Sequence, residues 1–128
     1  MRTYTKVCLL SVLMVLNGSA LAEWVYVTEN DEVKYYIDDT SLRLNKNIRS
    51  GWGIMNFKEP LPTGEKSFRL LSEYDCKNIK TRIITLTTHS GLFATGRVMA
   101  SGPTQNSPFS DVAPYSGEME ALKFICSK

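Results

Sequence analysis

The sequence has 128 residues, and its 15 Lys and Arg side chains nearly balance its 13 Asp and Glu side chains. A chain of this length holds one domain with a modest hydrophobic core. The small net charge of +2, without any block of like charges, excludes an extended polyanion-binding surface such as a nucleic-acid interface.

Residues 1–22 are predicted to be a secretory signal peptide. Two basic residues open the segment, an apolar run covers residues 7–16, and Ala-Leu-Ala at residues 20–22 has the small-x-small pattern of a cleavage site. A membrane anchor is the less favoured alternative, because the apolar run is much shorter than the about 20 residues that a spanning helix needs. Cleavage is therefore expected after Ala22. No lipid anchor is expected, since Cys8 does not lie at the cleavage point.

Six segments with strand-like patterns are predicted to be β-strands. They cover residues 24–29, 33–38, 48–58, 67–76, 79–88 and 92–100. The first two are expected to form a hairpin. The polar residues 38–47 are expected to form one irregular turn. Residues 101–116 are rich in Pro, Ser, Gly and Asn, which predicts a long loop.

The last segment changes its period and is predicted to be a helix. Ser116 is a suitable N-cap, and acidic residues follow in the first turn, where the helix dipole favours them. Met119, Leu122 and Cys126 recur at helical spacing and form an apolar face. The expected fold class is α+β: an antiparallel β-sheet of about six strands with one C-terminal α-helix packed on one face.

Removal of residues 1–22 leaves two cysteines, Cys76 and Cys126, and an even pair in an oxidising compartment first indicates a disulfide. Cys76 falls on the more apolar face of its predicted strand, and Cys126 falls on the apolar face of the helix. A bond between them would tie the helix to the sheet. Free thiols and a metal or catalytic site are the alternatives, although His89, the one histidine, has no metal-ligand spacing to Cys76.

The remaining candidates for catalysis have simpler structural interpretations. Asp38 and Asp39 fall where a strand ends, and Asp is favoured there because its side chain accepts local hydrogen bonds. His89 is expected to be a loop residue at a strand end or turn. With no nucleophile–base spacing and no phosphate-binding loop, the chain is expected not to be an enzyme and to need neither cofactor nor metal.

One face of the sheet is expected to be open, because a single helix covers only the other face. Glu73 and Asp75 share a strand face and are predicted to form ion pairs there with Arg69 or Arg82. Several strand residues are aromatic. Tyr36 alternates with Tyr35 and Ile37, so one aromatic set is expected to be exposed. An exposed aromatic set is typical of a binding surface, with core packing plus scattered exposed aromatics as the alternative.

The order of several short segments resembles the surface-adhesin protein E family of Gram-negative bacteria. These segments are Trp24, YYID at 35–38, RSGW at 49–52, SEYDC at 72–76 and PYSGEMEALKFIC at 114–126. The resemblance extends over residues 23–126, and it implies an antiparallel sheet of about six strands with a C-terminal helix tied by a disulfide. The family's founding member is an outer-membrane adhesin that binds host matrix and plasma proteins and can dimerise. This chain departs from the family in two ways. It lacks the lipid-attachment cysteine, and where the family often has a tryptophan before the terminal Pro-x-Ser, the nearest aromatic residue here is Phe109.

Together these features predict a signal peptide at residues 1–22 and a single domain at residues 23–128. The domain is expected to be an exported, non-enzymatic binding module that acts by protein–protein contact at the bacterial envelope or cell surface. The alternative is a periplasmic structural or assembly protein with no host ligand. The expected partners are host matrix or plasma proteins, envelope proteins or a second copy of the chain, with no nucleic acid and no membrane span. The expected location is the periplasm or the outer-membrane-associated cell surface.

Overall fold

The structure, a computed structural model, describes residues 23–104 and 107–128. The predicted signal peptide and its cleavage site lie outside the described residues. The elements are β1 (Trp24–Glu29), β2 (Val33–Asp38), β3 (Arg43–Asn45), β4 (Ile48–Phe57), β5 (Ser67–Asp75), β6 (Lys80–His89), β7 (Val98–Pro103), β8 (Ser110–Asp111) and α1 (Gly117–Cys126).

The strands form one antiparallel sheet in the order β1-β2-β4-β5-β6-β7. The predicted α+β fold class is confirmed, with six main strands and a helix at the C-terminus. Two short strands were not predicted. Residues Arg43–Asn45 pair with the start of β4, and Ser110–Asp111 pair with the start of β6. Both short strands lie in segments whose polar composition predicted only turn and loop.

The sixth predicted strand is wrong in its first half. Residues 92–94 form a 3-10 turn, and β7 begins only at Val98 and continues to Pro103. Phe93 and Ala94 both have φ of 55°, a left-handed backbone conformation that a strand does not contain. The apolar residues of this segment therefore form a turn that lies against the sheet.

The predicted turn at residues 38–47 and the predicted loop at residues 101–116 are both partly wrong. The first contains a 3-10 turn at Asp39–Ser41 followed by β3. The second contains the end of β7 and all of β8. Val112, which follows β8, is buried in the core and draws this segment onto the sheet.

Helix α1 packs on one face of the sheet and encloses the core. The Ser116 hydroxyl accepts a hydrogen bond from the Met119 amide at 3.1 Å, as predicted for an N-cap. The predicted apolar face did not include Ile125, which is fully buried. The buried core residues are Ile37, Tyr74, Val112, Ala121, Leu122 and Ile125.

The C-terminal end of α1 is fixed by a covalent bond and a hydrogen bond. A disulfide joins Cys76 to Cys126, with 5.7 Å between the Cα atoms and a sequence separation of 50. The Arg49 guanidinium, from β4, donates to the carbonyl oxygen of Ile125 at 2.8 Å. The structure therefore contains the predicted disulfide tether between helix and sheet.

At Gly51 two side chains approach the backbone of β4 closely beneath the helix, as a glycine within a strand indicates. A Cβ atom at this position would lie 2.7 Å from the Leu42 side chain and 3.8 Å from that of Ile125. The first distance is shorter than atoms tolerate, so the absence of a side chain lets Leu42 and Ile125 pack over β4.

Candidate functional site

The sheet face opposite α1, called the open face below, is covered in part by the turn at residues 92–94. The turn contacts β4, β5 and β6. Beneath this part of the face, Ile54 is 1% exposed, and Asn56 and Ser67 are also buried. The expectation of a fully uncovered face is therefore corrected, because the connection from β6 to β7 folds back over it.

Two buried polar side chains hold the turn. The Asn56 side-chain oxygen accepts a hydrogen bond from the Phe93 amide at 2.8 Å, and the Ser67 hydroxyl accepts one from the Ala94 amide at 2.9 Å. The left-handed conformation of Phe93 and Ala94 costs roughly 1–2 kcal/mol per residue. Such a conformation persists only where surrounding contacts enforce it, and it is concentrated at functional sites.

The turn displays apolar side chains on the open face. The Phe93 ring packs edge-on against Tyr36 at a centroid distance of 4.8 Å, and Tyr36 packs against Tyr26 at 5.8 Å. Exposure remains high at the edge of this group, with Tyr26 at 50%, Leu92 at 46% and Phe93 at 39%. Tyr26, Tyr36, Leu92 and Phe93 are called the open-face cluster. Exposed groups of this kind mark interaction surfaces more often than isolated exposed aromatics do.

A shallow groove of about 480 Å³ runs beside the open-face cluster and includes charged residues. Lys58 forms an ion pair with Glu29 at 2.6 Å. Tyr26 donates its hydroxyl hydrogen to the same carboxylate at 3.0 Å. The hydrogen bond from Lys58, followed by the one from Tyr26, lowers the pKa of Glu29. Lys34 also lines the groove, so its rim carries two cations and one carboxylate.

Two arginines extend the polar part of the open face. The Arg69 guanidinium lies 3.7 Å from the centre of the Trp52 ring, in cation–π geometry. Arg82 forms the predicted ion pair with Glu73 at 3.0 Å and lies 4.4 Å from the centre of the Phe109 ring. Phe109 thus packs on an arginine of β6. It is the aromatic residue nearest to the position where the resembled family often has a tryptophan.

Asp75 does not join this ion pairing among the described residues. Its carboxylate accepts hydrogen bonds from the amides of Lys77 and Asn78 and from the Asn78 side chain. The Asn78 side chain is the largest of the influences that lower the pKa of Asp75. The prediction of ion pairs for Glu73 and Asp75 is therefore right for Glu73 and wrong for Asp75, which stabilises the turn between β5 and β6.

Asp38 has the local role that its position predicts. Its carboxylate accepts hydrogen bonds from the Thr40 amide at 3.0 Å and the Thr40 hydroxyl at 2.6 Å. Asp39 forms an ion pair with Lys128 at 3.4 Å. Both acids stabilise the segment that leaves β2 and returns to the sheet.

His89 lies at a strand end, which was one of its two predicted places, but the expectation that it is a loop residue is wrong. His89 is the last residue of β6 and is buried, with its Nε2 atom 2.8 Å from the Thr87 hydroxyl. Desolvation by burial, followed by the charge of Arg69, lowers the pKa of His89. No carboxylate or cysteine forms a hydrogen bond with its ring among the described residues, so the ring has no partner for nucleophilic catalysis there.

Acidification is expected to destabilise the fold through His89. Its pKa is lowered from 6.5 in the folded protein, so the unfolded chain binds a proton more readily. Its contribution to stability is complete above pH 6.5 and is lost as the pH falls below that value. Urea unfolding between about pH 7.5 and 5 is the measurement. The His89→Gln variant, which retains a hydrogen-bonding side chain, is expected to lose less stability over this range, and parallel pH curves for the two proteins would contradict the assignment.

Within residues 23–104 and 107–128, no group of three or more His, Cys, Asp and Glu side chains is arranged to hold a metal ion. Over the same ranges, no helix combines the length and the apolar character needed to cross a bilayer.

The sequence profile of the family called surface-adhesin protein E matches residues 24–127. A structure of Haemophilus influenzae protein E superposes with a TM-score of 0.60 at 16% identity, covering 81% of this chain and 83% of that chain. Protein E from non-typeable Haemophilus influenzae gives 0.55 at 18% identity, with 80% and 75% covered. A second crystal form of Haemophilus influenzae protein E gives 0.55 at 15% identity, with 84% and 97% covered. These TM-scores show a common fold. No curated protein sequence matches the chain significantly.

Proposed function

The chain belongs to the surface-adhesin protein E family, and we propose that it is an exported, non-enzymatic binding module that contacts other proteins through its open-face cluster. The observation that carries the proposal is the turn at residues 92–94. It has a strained backbone, two buried side chains hold it, and it presents apolar groups to solvent.

The sequence supports an exported location for this activity. The basic start, apolar run and small-x-small pattern of residues 1–22 are typical of a signal peptide cleaved after Ala22. A disulfide between Cys76 and Cys126 is stable in the oxidising conditions that follow export. We therefore propose that residues 23–128 act as a single domain in the periplasm or at the outer-membrane-associated surface of a Gram-negative cell.

The partners that we propose are proteins, because the cluster combines aromatic and aliphatic surface with a charged rim. Host matrix proteins, plasma proteins and other envelope proteins all present such surfaces, and so does a second copy of this chain. Light scattering of the purified protein over a range of concentrations separates the last case from the others, since a homodimer doubles the mass.

The test is binding of the exported protein, recovered from cells that express the full chain, to immobilised basement-membrane matrix. Phe93→Asn removes the exposed ring and places a residue that tolerates left-handed backbone, so the fold is preserved. We expect this variant to bind at least about tenfold more weakly than the original protein, as for a central residue of an interface.

Tyr115→Asn is the matched control. Tyr115 is also aromatic, fully exposed and left-handed, with φ of 60°, but it lies in the connection to α1 and outside the cluster. Its variant is expected to bind as the original protein does. Equal losses for both variants, or no matrix binding together with protection from protease added to intact cells, would overturn the proposal. The second result favours a periplasmic structural or assembly protein.

A further inference from the structure

Some cations on the open face have no carboxylate in an ion pair with them, and they indicate what charge a partner would carry there. Both carboxylates that lie beside the cluster and along the arginines are in ion pairs: Glu29 with Lys58 at 2.6 Å, and Glu73 with Arg82 at 3.0 Å. Among the described residues, Lys34 and Arg69 have no carboxylate within ion-pairing distance. Lys34 and Arg69 are therefore cations of this face that no direct ion pair neutralises, although Lys34 lies opposite Glu29 in the strand register.

The strand register places these two cations around the cluster. Lys34 lies opposite Asn56, the residue that holds the turn, while Arg69 lies opposite Ile54, which in turn lies opposite Tyr36. The cations are thus on different strands on either side of β4, with the buried part of the turn between them. A segment that covers Phe93 therefore lies between the strands that carry these two cations.

We propose that the open-face cluster binds an acidic protein segment, one that alternates Asp or Glu with apolar side chains. This inference rests on the proposed function and specifies its partner. The apolar side chains pack on Tyr36 and Phe93, and the carboxylates pair with Lys34 and Arg69. Cations and anions that meet across an interface in this way determine orientation and increase the association rate.

The apolar walls favour a protein segment over an anionic polysaccharide. Tyr36, Leu92 and Phe93 line much of the groove, and a sulfated sugar chain presents no comparable apolar surface. Three acids in the loops beyond Lys58 limit the positive region on that side: Asp31, Glu32 and Glu59. The partner's carboxylates are therefore expected toward Arg69 and Lys34.

The test uses three probes with the exported protein. They are an end-blocked eight-residue peptide alternating Glu with Phe and Tyr, the same peptide with every Glu replaced by Lys, and heparin. At low ionic strength we expect the Glu peptide to bind at least about tenfold more tightly than the Lys peptide. High salt is expected to reduce that ratio, and the amide signals of Lys34, Tyr36 and Phe93 are expected to shift on binding.

Lys34→Glu reverses one of the two charges at an exposed position, and we expect it to weaken binding of the Glu peptide about tenfold. Lys77→Glu makes the same change in net charge in the turn after β5 and is expected to leave the affinity unchanged. Equal affinity for the Glu and Lys peptides, equal effects of the two variants, or tighter binding of heparin than of the Glu peptide would overturn the inference.

The peptide result is separable from the matrix result. A protein that binds matrix through Phe93 but does not prefer the Glu peptide keeps the proposed function and contradicts the acidic partner. A protein that prefers the Glu peptide, and loses this preference in Lys34→Glu, supports the acidic specificity even where the matrix assay is negative.

Discussion

Removal of the disulfide by Cys126→Ser is expected to reduce the free energy of unfolding by about 4 kcal/mol, because the bond closes a loop with a sequence separation of 50. The loss is large beside the typical 5–15 kcal/mol stability of a domain. It corresponds to a decrease of roughly 20 °C in the melting temperature of a domain of this size. Thermal and urea unfolding of the oxidised protein and the variant measure it.

The double variant Cys76→Ser/Cys126→Ser is the control for this experiment. The two sulfur atoms form one bond, so the double variant is expected to lose no more stability than either single variant, and the original protein treated with reductant is expected to match all three. Additive losses would show instead that each cysteine stabilises the fold through its own packing. An unchanged melting temperature on reduction would show that the hydrophobic core alone holds α1 in place.

The parts of the fold that sequence predicted correctly depend on local, periodic signals. The bounds of β1 and β2 are those predicted, because both segments are rich in β-branched and aromatic residues and a polar turn separates them. The helix follows from Ser116 and a change of period, and its N-cap hydrogen bond is present. The tether between helix and sheet was predictable because Cys76 and Cys126 each fell on an apolar face. In each case the signal is in the sequence of the element itself, and the tether needed only one such signal from each of its two ends.

The open-face cluster was only half predictable, because it depends on contacts between distant segments. Tyr36 was assigned to a face apart from Tyr35 and Ile37 by alternation alone. Leu92 and Phe93 were placed in a strand because their segment is apolar, yet they form a turn held by side chains of β4 and β5. The glycines on either side of that segment were the signal for a turn. The long-range hydrogen bonds that fix it have no local pattern.

The burial of His89 was missed for a related reason. The polar sequence Thr-Thr-His-Ser-Gly predicts a strand end or turn and does not reveal what folds over it. In the structure β6 continues through His89, and the segment that follows returns over the open face. Burial there is a property of the tertiary fold, so the lowered pKa of His89 was outside the reach of the sequence.

Under the proposed function, the open face and the helix face therefore have different roles. The face under α1 is closed by core residues and a disulfide, and it stabilises the domain. The open face has buried polar side chains that hold a turn in left-handed backbone conformation, which costs stability. This division predicts that variants of the helix face change unfolding free energy, whereas exposed residues of the cluster change binding.

Ile125→Ala tests the helix side of this division and is expected to reduce the free energy of unfolding by about 3–4 kcal/mol. Ile125 has no exposed surface and packs among the buried residues between α1 and the sheet. Its removal loses the transfer energy of the deleted atoms and leaves a cavity, and core Ile→Ala variants lose about 2–5 kcal/mol. The value should be above the lower end of this range because the disulfide at Cys126 prevents α1 from moving to fill the cavity. Urea unfolding under oxidising conditions measures the loss.

Ile79→Ala is the matched control, since it deletes the same atoms from a side chain that is 40% exposed. Ile79 also has a φ of 55°, which a β-branched residue adopts unfavourably, so the control is expected to change stability by no more than about 0.5 kcal/mol in either direction. If the two variants lost equal stability, Ile125 would not be a core residue, and the disulfide would hold a helix that packs only loosely on its sheet. If Ile125→Ala lost more stability in the reduced protein than in the oxidised one, the tether would be compensating for the cavity.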